Sequence, residues 1–264
     1  MQPPETPLQD RNFDDLADQF ARRVYGGSKG RIRLALLERD LREAVPGLYG
    51  DGPRLRILDA GGGEGQFSQT LAELGHQVDL CDLSATMVER ARARVAAAGL
   101  GERMHCFQAA VQDLPESDGY DLVLFHAVLE WVADPRATLQ AVLKQVRPGG
   151  QLSLMFYNLH STVFRSVLRG FLDKVLAGDL RGKGRGLTPI SPLQPDEVLA
   201  WLQAAGLDLQ VRSGVRVFHN YLHHDMRKQQ DESALLALEM RYSRLEPYRS
   251  LARYYHVIAR KPEV

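Results

Sequence analysis

The chain has 264 residues, 25% charged and 44% hydrophobic, with 33 basic and 33 acidic side chains and a formal net charge of zero. That length suits one large domain, or a domain with an insertion, and can bury a proper core. The neutral balance argues against coating nucleic acid through bulk charge, though not against a local basic patch. No apolar stretch reaches the roughly 18 residues that span a bilayer, no basic-then-apolar leader opens the chain, so the cytoplasm is the expected compartment, and two cysteines make no disulfide framework.

Residues 1–9 carry Pro3, Pro4 and Pro7 and read as a disordered tail, leaving 10–264 as a single domain. Leu16, Phe20 and Val24 recur at spacing four and predict a helix over 14–25. A glycine-containing turn at 26–30 leads to a second helix, 31–44. A regular alternation follows: strand 55–59, helix 65–74, strand 77–81, helix 84–98, strand 104–108, strand 121–125, helix 135–146 and strand 151–157. Strands alternating with helices of this length predict a parallel sheet with right-handed crossovers. Residues 158–190 break the rhythm with a helix at 160–177 and a loop, Arg181-Gly182-Lys183-Gly184-Arg185-Gly186. Helix 195–205, strand 209–218, a polar helix at 230–246 and strand 254–260 close the chain, the last strands as an antiparallel pair. The fold expected is α/β, Rossmann-like and doubly wound, with a mostly parallel seven-stranded sheet, an amino-terminal helical segment and a basic insertion after the fifth strand. Cys81 and Cys106 fall on apolar strands, where a thiol is a small hydrophobe.

Chemistry concentrates after the first strand, in Leu58-Asp-Ala-Gly-Gly-Gly-Glu-Gly65. Glycines let a backbone turn sharply and approach a ligand, and a helix beginning there points free N–H groups at it. Asp82 ends the second strand, about 20 residues on, where an acid accepts hydrogen bonds from ribose hydroxyls; it could equally cap the next helix. The dinucleotide spacing G-x-G-x-x-G fails at Gln66, and the Gly-Lys-Ser/Thr of a P-loop is absent. The pattern present, Asp59-x-Gly61-x-Gly63-x-Gly65, resembles the cofactor loop of S-adenosylmethionine-dependent methyltransferases. That cofactor has a carboxylate and no phosphate, and an ammonium and a sulfonium that Asp59 or Glu64 would suit.

Further runs narrow the resemblance. Asp10-Arg-Asn-Phe-Asp-Asp15, Leu80-Cys-Asp-Leu-Ser84, Leu124-Phe-His-Ala-Val-Leu-Glu-Trp-Val-Ala-Asp-Pro135, Leu152-Ser-Leu-Met-Phe-Tyr-Asn158 and Gly214-Val-Arg-Val-Phe-His219 join the glycine loop. Together they resemble the bacterial tRNA 5-carboxymethoxyuridine methyltransferase family, from about residue 9 to 261. The resemblance implies S-adenosylmethionine as cofactor and methyl transfer to the carboxylate of 5-carboxymethoxyuridine at the tRNA wobble position, giving the methyl ester. It places Arg33 on the methionine carboxylate, Gly61 and Gly62 along the methionine moiety, Asp82 on the ribose, Val111 and Gln112 at the adenine edge, and His126 near the cofactor. Asp113 is either a further adenine contact or a cap.

A carboxylate acceptor is ionised at neutral pH and needs no general base, so no catalytic triad or metal is expected; His223-His224-Asp225 reads as a surface turn. Cations to hold the acceptor come from Arg22, Arg23, Lys29, Arg31, Arg212, Arg216, Arg241 and Arg244, with Tyr157 and His219 able to add hydrogen bonds. Tyr157 stands out because its strand end faces the cofactor crevice. Residues 159–190 hold six basic side chains (165, 169, 174, 181, 183, 185) against acids at 173 and 179; charge alone reads this as a solvated flexible loop, while the resemblance implies a surface for the anticodon stem-loop of tRNA. Two other readings stand beside this one. A small-molecule methyltransferase acting on an acid or phenol would close an apolar lid over the site, and a non-catalytic cofactor-binding module or assembly partner has the intact loop, Asp82 and His126 against it.

Overall fold

The computed structural model describes residues 9–14, 27–182 and 189–263. The tail, most of the helix expected at 14–25, Arg22, Arg23, Lys183 and Arg185 lie outside them. The first described helix, α1 (Gly27–Ala44), starts four residues earlier than expected. The central alternation follows as β1 (Arg56–Ala60), α2 (Gln66–Glu73), β2 (Gln77–Asp82), α3 (Ala85–Ala97), β3 (Met104–Gln108), β4 (Tyr120–His126), α4 (Pro135–Lys144) and β5 (Val146–Tyr157). Starts are set by local chemistry. Ser84 caps α3 by accepting from the Met87 N–H, and Asp134 caps α4 from the Ala137 N–H, with Pro135 at the first helical position.

The seven strands form one sheet in the order β3-β2-β1-β4-β5-β7-β6, where β6 is Asp208–Val215 and β7 is Tyr254–Arg260. Strands β1 to β5 pair in parallel, and β7 runs antiparallel to both β5 and β6. Side chains alternate across it. Ile57, Leu122 and Leu124 face a layer with Leu36, Leu71 and Val88; Leu58, Val123 and Phe125 face one with Leu139, Val142, Val198 and Leu202. Both faces are therefore covered, which is why the parallel strands read as near-continuous apolar runs. Strand order reverses between β1 and β4, so a ligand crevice belongs at their carboxyl ends. Cys81 and Cys106 are buried thiols in this core.

The insertion departs from expectation. In place of one helix over 160–177, α5 (Leu159–Leu168) stops and α6 (Leu172–Leu176) follows. Gly170 is the cause. It takes a left-handed φ of 76°, its N–H donates to the Val167 carbonyl, and the Phe171 N–H donates to that of Ser166. These two bonds close a helix in the Schellman manner. Beyond it lie α7 (Pro195–Ala204), α8 (His224–Gln229), α9 (Glu232–Tyr242) and α10 (Tyr248–Leu251). The polar helix expected at 230–246 is thus shorter, with a separate turn of helix before it.

Candidate active site

The glycine loop joins β1 to α2 at the carboxyl edge of the sheet. The N–H groups of Gly61 and Gly62 donate to the Cys81 carbonyl at 2.7 and 3.2 Å, pinning the turn to β2. Gly61 has φ 70°, and a Cβ there would stand 2.5 Å from Val128 Cγ2; one at Gly62 would stand 2.5 Å from the Asp59 carboxyl. A side chain at either position cannot be accommodated without displacing its neighbours, so bare backbone lies flush with the space above. Asp82 ends β2 and accepts from the Gly63 N–H at 2.9 Å through one oxygen and from the Ser84 N–H at 2.8 Å through the other. Each oxygen keeps a lone pair for a ligand hydroxyl.

A cleft of about 840 Å³ opens there, lined among others by Arg33, Gly61, Gly62, Gly63, Asp82, Val111, Gln112 and His126. Eight of the residues singled out from the sequence therefore meet at one place, drawn from α1, the glycine loop, β2, β4 and the turn after β3. Two do not line it. Asp59 lies beneath the loop, and burial pushes its carboxyl up to about 6. Tyr157 is buried beside the cleft at the end of β5, with the Arg253 guanidinium 4.1 Å from its ring centroid. Asp113 is exposed and outside the cleft. Gln112 commits its amide N–H groups to Asp10 at 2.8 Å and Thr138 at 3.1 Å.

The sequence reading missed the roof. Asp10, Arg11 and Phe13 line the cleft with Trp131 and Met87. Asp10 accepts from the Ala133 N–H at 2.7 Å, the Arg11 N–H donates to the Trp131 carbonyl, and Phe13 sits edge-on to Trp131 at 4.9 Å. Asp14 accepts from the Ser84 hydroxyl. The signal was present in the run Asp10 to Asp15, read for resemblance without a place in the fold.

His126 belongs to a buried chain that runs across three strands. Its Nε2 is 2.8 Å from Ser153 Oγ on β5, which is 2.9 Å from His256 Nε2 on β7, whose Nδ1 is 2.8 Å from Asp40 Oδ2 on α1. Burial would raise the Asp40 carboxyl, but the hydrogen bonds from His256 and Arg244 and the charge of Arg39 outweigh it and hold it far below the usual range. An ionised carboxylate only accepts, so His256 donates through Nδ1. Burial, with His256 and Arg33 nearby, keeps His126 neutral, well below the usual imidazole range. Ser153 thus bridges the two rings across β5, and through His256 the chain reaches Asp40 on α1.

The remaining candidates sort by burial. Arg31 pairs with Glu232, Arg244 with Asp40 and Glu43, Arg241 lies exposed over Tyr242, and Arg212 is exposed. His219 is buried but faces Ser28, 3.0 Å from its hydroxyl, away from the cleft lining. Only Arg216 of that set is buried at the sheet's carboxyl edge. Among the described residues no group of three His, Cys, Asp or Glu stands as a metal cluster, and no helix is long and apolar enough to cross a membrane.

A residue set with a carboxylate at one end, a buried arginine at another, apolar walls from Leu83, Met87, Val111 and Val132, and no phosphate cradle fits S-adenosylmethionine. Comparison with known proteins agrees. The family described as "Methyltransferase domain" matches residues 58–154. The magnesium protoporphyrin IX methyltransferase of Synechocystis, solved with S-adenosylhomocysteine, superposes with TM-score 0.64 at 17% identity over 94% of this chain and 96% of that one. The cyclase SpnF does so with TM-score 0.63 at 16% identity, over 97% and 98%; both show the shared fold. The tRNA 5-carboxymethoxyuridine methyltransferase of Escherichia coli strain K12 is 49% identical over 97% of this chain and 98% of its own length, and that of strain O157:H7 matches equally. At that identity and coverage, the chain belongs to the tRNA 5-carboxymethoxyuridine methyltransferase family of S-adenosylmethionine-dependent enzymes.

Proposed function

We propose that this protein transfers a methyl group from S-adenosylmethionine to the carboxylate of 5-carboxymethoxyuridine at the wobble position of tRNA, forming the methyl ester. The observation that carries the reading is full-length identity to enzymes of that name, joined to a cleft whose lining supplies the complementary groups. When bound, the cofactor supplies a sulfonium-activated methyl group. Arg33 holds its methionine carboxylate, Gly61 and Gly62 admit its backbone-like portion, Asp82 takes the ribose hydroxyls, and Val111 with Gln112 borders the adenine. Asp59 supports the loop from below. His126 borders the same space, its ring held through Nε2 by Ser153. The acceptor carboxylate is already a nucleophile at neutral pH, so the residues orient and exclude water. Such orientation is worth up to roughly 7–11 kcal/mol.

The anticodon stem-loop is placed against the insertion. There Phe171 is exposed with the Arg169 guanidinium 5.3 Å from its ring centroid, and Phe164, Leu168 and Leu176 also face outward. Outward aromatic and arginine planes suit splayed bases; a lid for a small apolar substrate would turn these side chains inward. The test incubates the protein with S-adenosylmethionine and tRNA carrying 5-carboxymethoxyuridine, with unmodified tRNA as control, followed by nucleoside mass spectrometry. One added methyl on the modified tRNA alone is expected. No gain with cofactor still bound overturns the tRNA assignment and leaves a small-molecule acceptor.

A further inference from the structure

Next to the cofactor cleft lies a cluster of buried and part-buried cations, of which only Arg33 also lines the cleft. Tyr254 opens β7 and carries two guanidiniums on its ring, Arg33 at 4.7 Å and Arg216 at 5.1 Å. Tyr157 meets Tyr254 edge-on at 5.5 Å and carries Arg253 at 4.1 Å. Arg216 is 7% exposed, and its Nε, like Arg253 Nε and Nη1, has no hydrogen-bond partner among the described residues. An unpartnered buried donor is costly, and more so when charged, so such a set calls for an anion.

The charges beside it do not supply one. Glu130, fully buried in the turn between β4 and α4, feels Arg33 and Arg253, but burial pushes its carboxyl up to about 7, and neither oxygen forms a hydrogen bond of ordinary geometry. Glu239 also lies near Arg216, yet it accepts from the N–H groups of Val217, Phe218 and His219 at 2.6, 3.0 and 2.8 Å. Arg216 and Arg253 thus have beside them one carboxylate saturated by backbone N–H groups and one that burial pushes towards its neutral form. The Glu239 clamp has a second effect. It fixes the chain just after Arg216, whose φ is 64°, one of two left-handed non-glycine positions among the described residues. The other, Ala127, follows His126 and lines the cleft. A left-handed backbone held in place by a buried carboxylate marks a side chain whose direction matters.

We propose that Arg216 and Arg253, with the Tyr157 hydroxyl, form the receptor for the acceptor carboxylate. The inference rests on the methyl-transfer reading above. Both arginines stand at the carboxyl edge of the sheet, over β5, β7 and β6, while the cofactor cleft opens over β1 and β4. Arg33 joins the two, lining the cleft on one side and stacking on Tyr254 on the other. The receptor grips the carboxylate without removing its charge, so one oxygen stays able to attack. Arg253 was passed over in sequence, because nothing in Leu-Ala-Arg-Tyr-Tyr tells that the chain brings it back beside Tyr157.

The test uses Arg216→Lys and Arg253→Gln in the full chain. Lysine keeps the charge but not the planar fork. The expected loss in kcat/KM is on the order of 10- to 100-fold with modified tRNA, with S-adenosylhomocysteine affinity unchanged. A binding comparison adds a readout that a folding defect does not mimic. Wild type loaded with S-adenosylhomocysteine should prefer tRNA with 5-carboxymethoxyuridine over tRNA with 5-methoxyuridine, which lacks the carboxylate, and the variants should bind both alike. If either variant keeps wild-type kcat/KM and wild-type preference, the receptor is elsewhere. If Arg216→Lys does not fold, Arg253→Gln, half exposed in the native chain, decides alone. Failure of wild type itself to methylate overturns the functional reading, a different result from wild-type activity that survives in the variants.

Discussion

Asp59 is an acid at a site where the protein raises its pKa, and the sign of that shift has a measurable effect. Burial lifts the carboxyl to about 6, against the help of Ser68. Below the ordinary carboxylate range both folded and unfolded chains hold the proton and nothing is lost. As pH rises from about 4 to 6 the unfolded chain releases it first, so this group withdraws stability across that window. Asp59→Asn should therefore be more stable than wild type at pH 7, by up to about 3 kcal/mol for two units, and nearly equal to it at pH 4. Urea denaturation at the two pH values checks this; an equal loss at both would mean that Asp59 is needed as a carboxylate for packing. At this scale the sequence was legible where backbone dictates identity. Gly61, Gly62 and Asp82 follow from turn geometry and strand ends. Asp59 falls outside the cleft lining, because spacing tells which strand end a residue occupies but not whether it lies above or below the loop. Glu130 and Arg253 were invisible, since their environment is built by segments more than a hundred residues apart.

Among elements, the insertion depends on one side chain. Asn158 accepts from the His160 N–H at 2.9 Å, starting α5, and donates to the Ser250 and Ala252 carbonyls at 2.8 and 2.9 Å. It is fully buried. The residue that starts the insertion thus also fastens α10 and the approach to β7. Asn158→Ala removes a cap worth about 1 kcal/mol and strands two buried carbonyls at about 1–3 kcal/mol each. A loss of about 3–7 kcal/mol is expected by chemical denaturation, and Asn158→Asp should restore only the cap, because a carboxylate cannot donate to the two carbonyls. A change near zero would show that α5 is placed by its apolar contacts instead. The periodic elements, α2 to β5, were legible because burial on both faces leaves a continuous apolar signal. The break at Gly170 was not, because apolar residues run through it and only the glycine's left-handed φ ends the helix.

Taken whole, the molecule is neutral, so affinity for RNA has to come from a local surface. Arg165, Arg169, Lys174 and Arg181 are the basic side chains of the insertion within the described residues. Four phosphate contacts with single-stranded RNA give log K a slope of about −3 against log salt. Changing all four to Gln should flatten the slope and weaken tRNA binding while cofactor affinity stays as it was; an unchanged slope would move the RNA surface elsewhere. The fold class was readable at this scale from alternation alone, whereas the order of the last strands was not. That order sets a timetable. Strand β7 leaves the ribosome after every other strand, yet it lies inside the sheet, between β5 and β6. Until it arrives, β6 has no neighbour to pair with and the flank of β5 stays bare, an edge open to wrong partners. The glycine loop, Asp82 and His126 are by then already translated. Arg253, Tyr254 and His256 come with β7, so a nascent chain completes the half that holds the methyl donor before it owns the half that recognises what is to be methylated.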